Sequence, residues 1–331
     1  MSRPPRLLFP QTVSMLTSRV QQGLPFACTP IMEMILWSSL AVAQSLYNVK
    51  VISFVVMGNH VHIIILVEDP SEAESFMERF KCETSHAVNR LLGRRQVSVW
   101  CEGYDSPTIL TLDDLVEKLA YVFANPVRAH RTDSISNYKG VSSWQMVTSG
   151  VLSKEVPRIR RNFIKPLPKG VLSPEEQKRE SARLQQLAKE TLRFTLYPDA
   201  WTLAFPNQAT PDELNQRVLG RIKEVEQDLA AIRARERIAL PTEYQVVTQP
   251  MDVPYSPKTF GRRMWCICRN VPLRMAFIKF VKELRAHARD VRHAWARGDY
   301  TATFPVGLFP PCQPILANLL PCYFRRAISV I

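Results

Sequence analysis

The chain has 331 residues, of which 46% are hydrophobic, so it is long enough for two globular domains with packed cores. It contains no uncharged apolar run of about eighteen residues, which excludes a membrane-spanning helix. Its net charge of +13 lies entirely in the second half: residues 1–150 hold 13 Lys/Arg and 13 Asp/Glu, and residues 151–331 hold the other 30 and 17. A basic region of this kind suits a polyanionic partner, although a merely basic solvated surface has the same composition.

The N-terminus lacks the apolar core and the cleavage site of a signal peptide, so we expect a cytoplasmic protein. The cysteines are odd in number and scattered, which is unlike a disulfide framework and typical of reduced thiols. They lie at positions 28, 82, 101, 266, 268, 312 and 322. Cys266 and Cys268 could supply two thiolates to a metal, but no second pair at zinc-site spacing accompanies them.

The first part of the chain predicts a strand, a helix and a hairpin. Residues 12–19 read as a strand, and the apolar spacing of residues 30–47 favours an amphipathic helix that covers one face of a sheet. Residues 51–56 and 60–66 read as two buried strands joined by a tight turn.

The second strand of this hairpin opens with His60-Val61-His62. Side chains alternate between the two faces of a strand, so His60 and His62 point the same way, about 7 Å apart. Two imidazoles on one face can share a metal ion, although a chain with six histidines will sometimes place two of them at this spacing by chance.

Two helices are predicted next, over residues 71–92 and from Thr111 to residue 124 or 125, where Pro126 disfavours continued helical geometry. Tyr121 and Asn125 stand four residues apart in the second of these helices and therefore share a face. That face offers a hydroxyl nucleophile and an amide oxygen that could complete a metal site; the alternative for Tyr121 is a core aromatic residue with its hydroxyl at the surface.

Residues 154–169 are basic and rich in proline, and we interpret residues 147–172 as a linker or a DNA-tracking arm. The remainder, residues 173–331, is predicted to be mostly helical, with helices over residues 173–194, 211–238 and 272–297. The last of these helices carries the basic surface that most favours nucleic-acid binding in this sequence.

No glycine-rich phosphate loop is present, so we expect no nucleotide cofactor.

Over residues 1–146 the sequence resembles the single-tyrosine HUH transposases, most closely the REP-associated tyrosine transposases. The family's Asn-His-hydrophobic-His strand is matched by Asn59 to His62, and its Tyr-x-x-x-Asn-Pro-Val-(Arg/Lys)-Ala helix is matched by Tyr121 to Ala129. The sequence departs from the family at Met15, where a histidine is frequent, and at Glu102 and Gly103, where basic residues are usual.

The resemblance implies an α+β fold: a ferredoxin-like antiparallel sheet with helices mainly on one face and with His60 and His62 on an inner strand. It also implies a single-stranded DNA endonuclease and strand transferase acting at hairpin-containing DNA through a 5′-phosphotyrosine. Tyr121 would be the nucleophile, and His60, His62 and Asn125 would hold Mg²⁺ or Mn²⁺. Imidazole ligands by themselves also allow zinc, but no His-Glu-x-x-His pattern is present.

We expect a nucleoid-associated protein whose partner is single-stranded or hairpin DNA and which works as a monomer or a homodimer. The candidate DNA contacts are cationic side chains, and for Arg90, Arg94 and Arg95 compensation of a helix dipole is an equal alternative. They are Arg3, Arg6, Arg19, Arg90, Arg94, Arg95, Arg128, Arg262, Arg263, Lys282, Arg285 and Arg289.

Two other functions remain open from the sequence. A domesticated, sequence-specific DNA-binding protein could keep the scaffold without cleavage, although a pure binder has no need of His60, His62, Tyr121 and Asn125 together. The C-terminal half could alternatively have a structural role, in which its helices mediate protein assembly.

Overall fold

The computed structural model describes residues 7–167, 172–255 and 264–308. A five-stranded sheet has the order β2-β3-β1-β4-β7 and is antiparallel except for the parallel pair β4–β7. Its strands are β1 Val13–Arg19, β2 Val49–Met57, β3 His60–Val67, β4 Thr108–Ile109 and β7 Cys266–Ile267. A separate hairpin pairs β5 Ser153–Pro157 with β6 Thr191–Thr195.

Eight α-helices lie in the described part of the chain. They are α1 Pro30–Leu46, α2 Pro70–Leu91, α3 Leu112–Arg128, α4 Trp144–Ser149, α5 Pro174–Leu187, α6 Pro211–Glu236, α7 Glu243–Val247 and α8 Val271–Ala296. None of them is long and apolar enough to cross a membrane.

The sheet separates two apolar cores because side chains alternate between its faces. On one face Val61, Ile63 and Ile65 of β3 pack with α1 and α2. On the other face Ile64 and Leu66 pack with α3 and α6. The expected α+β class is confirmed. Helices were expected mainly on one face, but they cover both faces of the sheet, with α1 and α2 on one and α3 and α6 on the other.

β3 is an inner strand, held between β2 and β1. His62 lies opposite Thr17 of β1 and Val55 of β2, and His60 lies opposite Arg19 and Met57. The hydrogen-bonded neighbours on both sides hold the two histidines in a fixed register.

The predicted end of α3 was wrong. The helix continues through Pro126 to Arg128, although a proline cannot donate the usual backbone hydrogen bond. Pro126 and Val127 are buried, and this packing offsets the lost bond. Asn125 therefore keeps helical geometry relative to Tyr121.

The predicted helix over residues 173–194 was wrong in its last part, because α5 ends at Leu187 and residues 191–195 form β6. The β-branched Thr191 and Thr195 favour a strand, and Phe194 is fully buried against the Trp37 and Phe54 rings. This tertiary packing overrides local helical spacing.

The domain boundaries at 146 and 172 stay a prediction. In the structure the segment expected to be a linker contains β5, and the side chain of Gln44 in α1 exchanges two hydrogen bonds with the backbone of Thr195 in β6. β7 adds to the edge of the main sheet, and Arg221 of α6 pairs with Glu117 of α3 at 3.2 Å. The described C-terminal elements thus pack directly on the N-terminal ones.

Candidate active site

The two histidines of β3 lie side by side, with ring centroids 4.9 Å apart. His62 is 4% exposed and His60 is half-buried. Both side chains are on the sheet face that α3 covers, because side chains alternate along β3 and His60 and His62 share the face of Ile64 and Leu66.

Each imidazole is fixed at its Nδ1 atom. Asn59 Oδ1 lies 2.7 Å from Nδ1 of His60, and Thr17 Oγ1 lies 2.8 Å from Nδ1 of His62. An amide oxygen can only accept, so Nδ1 of His60 donates and its Nε2 keeps a lone pair. The Thr17 hydroxyl produces the same tautomer in His62 when it accepts the Nδ1 proton.

Both imidazoles are neutral near neutral pH. Burial lowers the pKa of His60 to about 4, with Arg19 acting in the same direction and the Asn125 side-chain hydrogen bond opposing it. Burial also lowers the pKa of His62 well below its usual value, followed by the charges of His60, Arg19 and Lys118. Neutral imidazole is the form that binds a metal ion.

The low pKa of His60 predicts acid sensitivity of the metal-free protein. Unfolded histidine takes up a proton near about pH 6.5, whereas folded His60 does so only near pH 4, so between these values the unfolded state binds more protons. The free energy of unfolding should therefore fall as the pH is lowered through this window, by at most about 3 kcal/mol from His60. We expect His60→Gln to reduce that fall, as measured by urea unfolding at several pH values.

The exposed His293 near the end of α8 provides the matched control, since His293→Gln should keep the wild-type pH dependence. Equal pH dependence in the His60→Gln and wild-type proteins would contradict the proposed burial effect.

Tyr121 and Asn125 project from α3 towards the histidines. The Tyr121 ring centroid is 5.4 Å from that of His62, and the Asn125 carboxamide is a hydrogen-bond partner of His60. Asn125 is buried and Tyr121 is half-buried. The structure thus brings together all four side chains that the sequence singled out from two separate elements.

Sequence reasoning missed Lys118. It lies one turn before Tyr121 on α3, and its ammonium is 5.1 Å from the centre of the Tyr121 ring. Burial and the charge of Arg269 lower the pKa of Lys118. The i, i+3 spacing to Tyr121 was the available signal.

The donor set fits a weakly held divalent ion. Within the described ranges no group of three or more His, Cys, Asp or Glu side chains is placed to hold a metal. Two neutral imidazoles and a carboxamide oxygen are donors that a divalent ion accepts, and they would leave coordination positions open for water or phosphate oxygens.

Cys266 and Cys268 lie on and beside β7 and are buried. Burial raises the pKa of Cys266 to about 11 and also raises that of Cys268, so both are protonated thiols at neutral pH. Their surroundings therefore favour a structural role.

The candidate DNA contacts fall into separate places. Arg19 is exposed beside His60, and the Arg128 guanidinium is 5.8 Å from the centre of the Tyr121 ring. Lys282 lines a cavity next to Tyr121, the Arg285 guanidinium lies over the Trp265 ring at 5.4 Å, and Arg289 is exposed. Arg3, Arg6, Arg262 and Arg263 lie outside the described residues.

Arg90, Arg94 and Arg95 are exposed at and after the end of α2, on the side of the sheet away from α3. Arg90 and Arg94 line a groove of about 1010 Å³ between α2 and residues 94–104. This groove also carries Glu74, Glu78 and Glu102, so its lining is of mixed charge.

Comparison with known proteins agrees with the motif reading. Residues 28–115 match the family model described as "Transposase IS200 like", which confirms the resemblance over that stretch. The matched stretch contains His60 and His62 and ends before Tyr121. A solved structure of a REP-associated tyrosine transposase bound to a REP hairpin is 17% identical, covers 45% of this chain and 87% of that chain, and has a TM-score of 0.37. No curated protein matches the chain significantly.

Proposed function

We propose that this chain is a transposase-like endonuclease and strand transferase that cleaves single-stranded, hairpin-containing DNA through a 5′-phosphotyrosine intermediate. The observation that carries the proposal is the convergence of Tyr121 with His60, His62 and Asn125. The IS200-like match over residues 28–115 supports the same class of reaction.

Tyr121 would act as the nucleophile. Its phenolic oxygen attacks the phosphorus of a phosphodiester, the bond from phosphorus to the 3′ oxygen breaks, and the phenol proton ends on that 3′ oxygen. One phosphodiester is exchanged for another, so attack by a second 3′-hydroxyl reverses the step and joins strands without ATP. The cations of Lys118 and Arg128 beside the ring would stabilise the charge that develops on the phosphoryl oxygens.

His60, His62 and Asn125 would hold Mg²⁺ or Mn²⁺. A bound divalent ion supplies Lewis-acid polarisation of a phosphoryl oxygen. The chain's own contribution is to keep both imidazoles neutral by burial and to orient them through Asn59 and Thr17.

Thr17→Val is expected to weaken cleavage indirectly. The substitution keeps the β-branched shape and removes the hydroxyl that holds Nδ1 of His62 at 2.8 Å. Loss of such a supporting hydrogen bond costs about 10- to 100-fold in metal affinity or activity. We expect a higher Mn²⁺ concentration at half-maximal cleavage, with rescue by Thr17→Ser.

Thr108→Val is the matched control. Thr108 is a buried threonine of β4, the strand next to β1, and its hydroxyl has no hydrogen-bond partner among the described residues. An equal change in Mn²⁺ dependence for Thr17→Val and Thr108→Val would show that the effect is a general loss of stability.

The proposal is tested with purified protein, a single-stranded hairpin oligonucleotide and Mg²⁺ or Mn²⁺. A covalent protein–DNA adduct that survives denaturing electrophoresis and requires the metal supports the enzyme. Salt-sensitive binding without an adduct would instead indicate a DNA-binding protein that lacks cleavage.

A further inference from the structure

A cavity of about 790 Å³ opens beside Tyr121, between α3 and the segment formed by β7 and α8. Lys118, Tyr121 and Arg128 line its α3 side, and Arg274, Ile278 and Lys282 line its α8 side. β7 and α8 lie outside the stretch that matches the IS200-like family. A ligand in this cavity would therefore contact the phenol and the C-terminal region of the chain at once.

The described lining of the cavity is predominantly cationic, with five Lys or Arg side chains and two carboxylates. Both carboxylates are already engaged. Asp114 accepts hydrogen bonds from the Thr111 hydroxyl and the Arg269 backbone, and Glu117 pairs with Arg269 at 2.7 Å. The remaining positive field favours an anionic ligand.

The same cavity has an apolar part. Met264, Trp265 and Ile278 line it, and the side chain of Met264 is largely exposed. Cations beside apolar and aromatic surface suit a single strand, whose phosphates and unpaired bases are both accessible, whereas a duplex hides its base faces.

We propose that this cavity binds the single-stranded DNA directly adjoining the phosphate that Tyr121 attacks. Lys282 and Arg274 would contact backbone phosphates, and Met264 and Trp265 would contact bases. The inference rests on the proposed function and assigns substrate positioning to β7 and α8. It also predicts that Lys282 contributes to DNA binding, whereas basic residues of α8 that do not line the cavity do not.

The test measures binding of a fluorescent oligothymidylate to metal-free protein as a function of salt, in a Tyr121→Phe background so that no cleavage intervenes. Lys282→Gln should weaken binding several-fold. It should also reduce the slope of log affinity against log salt by about 0.7, the value for one phosphate contact on a single strand. Lys279→Gln makes the same charge change on an exposed side chain of α8 outside the cavity and should leave the slope unchanged.

Equal slopes for Lys282→Gln and Lys279→Gln would overturn the inference, as would duplex DNA that competes as well as the single strand. Folding is not at risk in either variant, because both side chains are exposed. The outcomes also separate the two proposals. If the wild type forms an adduct and the slopes of the two lysine variants are equal, the proposed enzymatic function stands and the proposed role of the cavity is contradicted. If the slopes differ and no adduct forms, the cavity binds single-stranded DNA and the proposed enzymatic function is contradicted.

Discussion

Tyr121→Phe is expected to abolish the covalent protein–DNA adduct and to lower cleavage by on the order of 10³-fold or more, because the substitution removes the oxygen that we propose as the nucleophile. Binding of a hairpin oligonucleotide should be nearly unchanged. The Tyr121 side chain is half-buried, and its ring contacts with His62, Lys118 and Arg128 persist in phenylalanine.

Adduct yield on denaturing gels and binding by fluorescence anisotropy measure the two effects separately. Tyr47→Phe is the matched control, since Tyr47 is also half-buried but packs against the core on the opposite face of the sheet. An adduct that persists in Tyr121→Phe would assign the nucleophile to another residue.

His60→Gln and His62→Gln are expected to lower cleavage by about 10²-fold or more at saturating Mn²⁺, because each removes one of the two imidazoles that we propose as metal ligands. Removal of divalent ions with a chelator should abolish cleavage in the wild type, and DNA binding should persist in every case. Cleavage rates across a Mn²⁺ titration measure the effect.

His293→Gln, the exposed control on α8, should behave as the wild type in this titration. Wild-type Mn²⁺ dependence in His60→Gln and His62→Gln would exclude the two histidines as ligands.

The central part of the fold could be predicted because its signals are local. The run of β-branched residues in β3 favours a buried strand, and the two-residue period places His60 and His62 on one face. The four-residue spacing of Tyr121 and Asn125 depends only on helical geometry. That β3 and α3 bring these side chains to one site, by contrast, was inferred from a family resemblance.

The errors and omissions arose where distant contacts decide the structure. Packing of Pro126 and Val127 extends α3 beyond the predicted end, and burial of Phe194 converts a predicted helix end into β6. β7 pairs with β4 through only two residues, Cys266 and Ile267, which is too short for a strand signal. The C-terminal wall of the cavity beside Tyr121 was therefore invisible in the sequence.

Peptide mapping of the covalent adduct tests the central claim most directly. Wild-type protein is incubated with a labelled hairpin strand and Mn²⁺, digested, and analysed by mass spectrometry. We expect the nucleotide to be attached through its 5′-phosphate to the oxygen of Tyr121, with a free 3′-hydroxyl on the released fragment. Attachment to a different side chain, or cleavage that produces no protein-linked strand, would contradict the account.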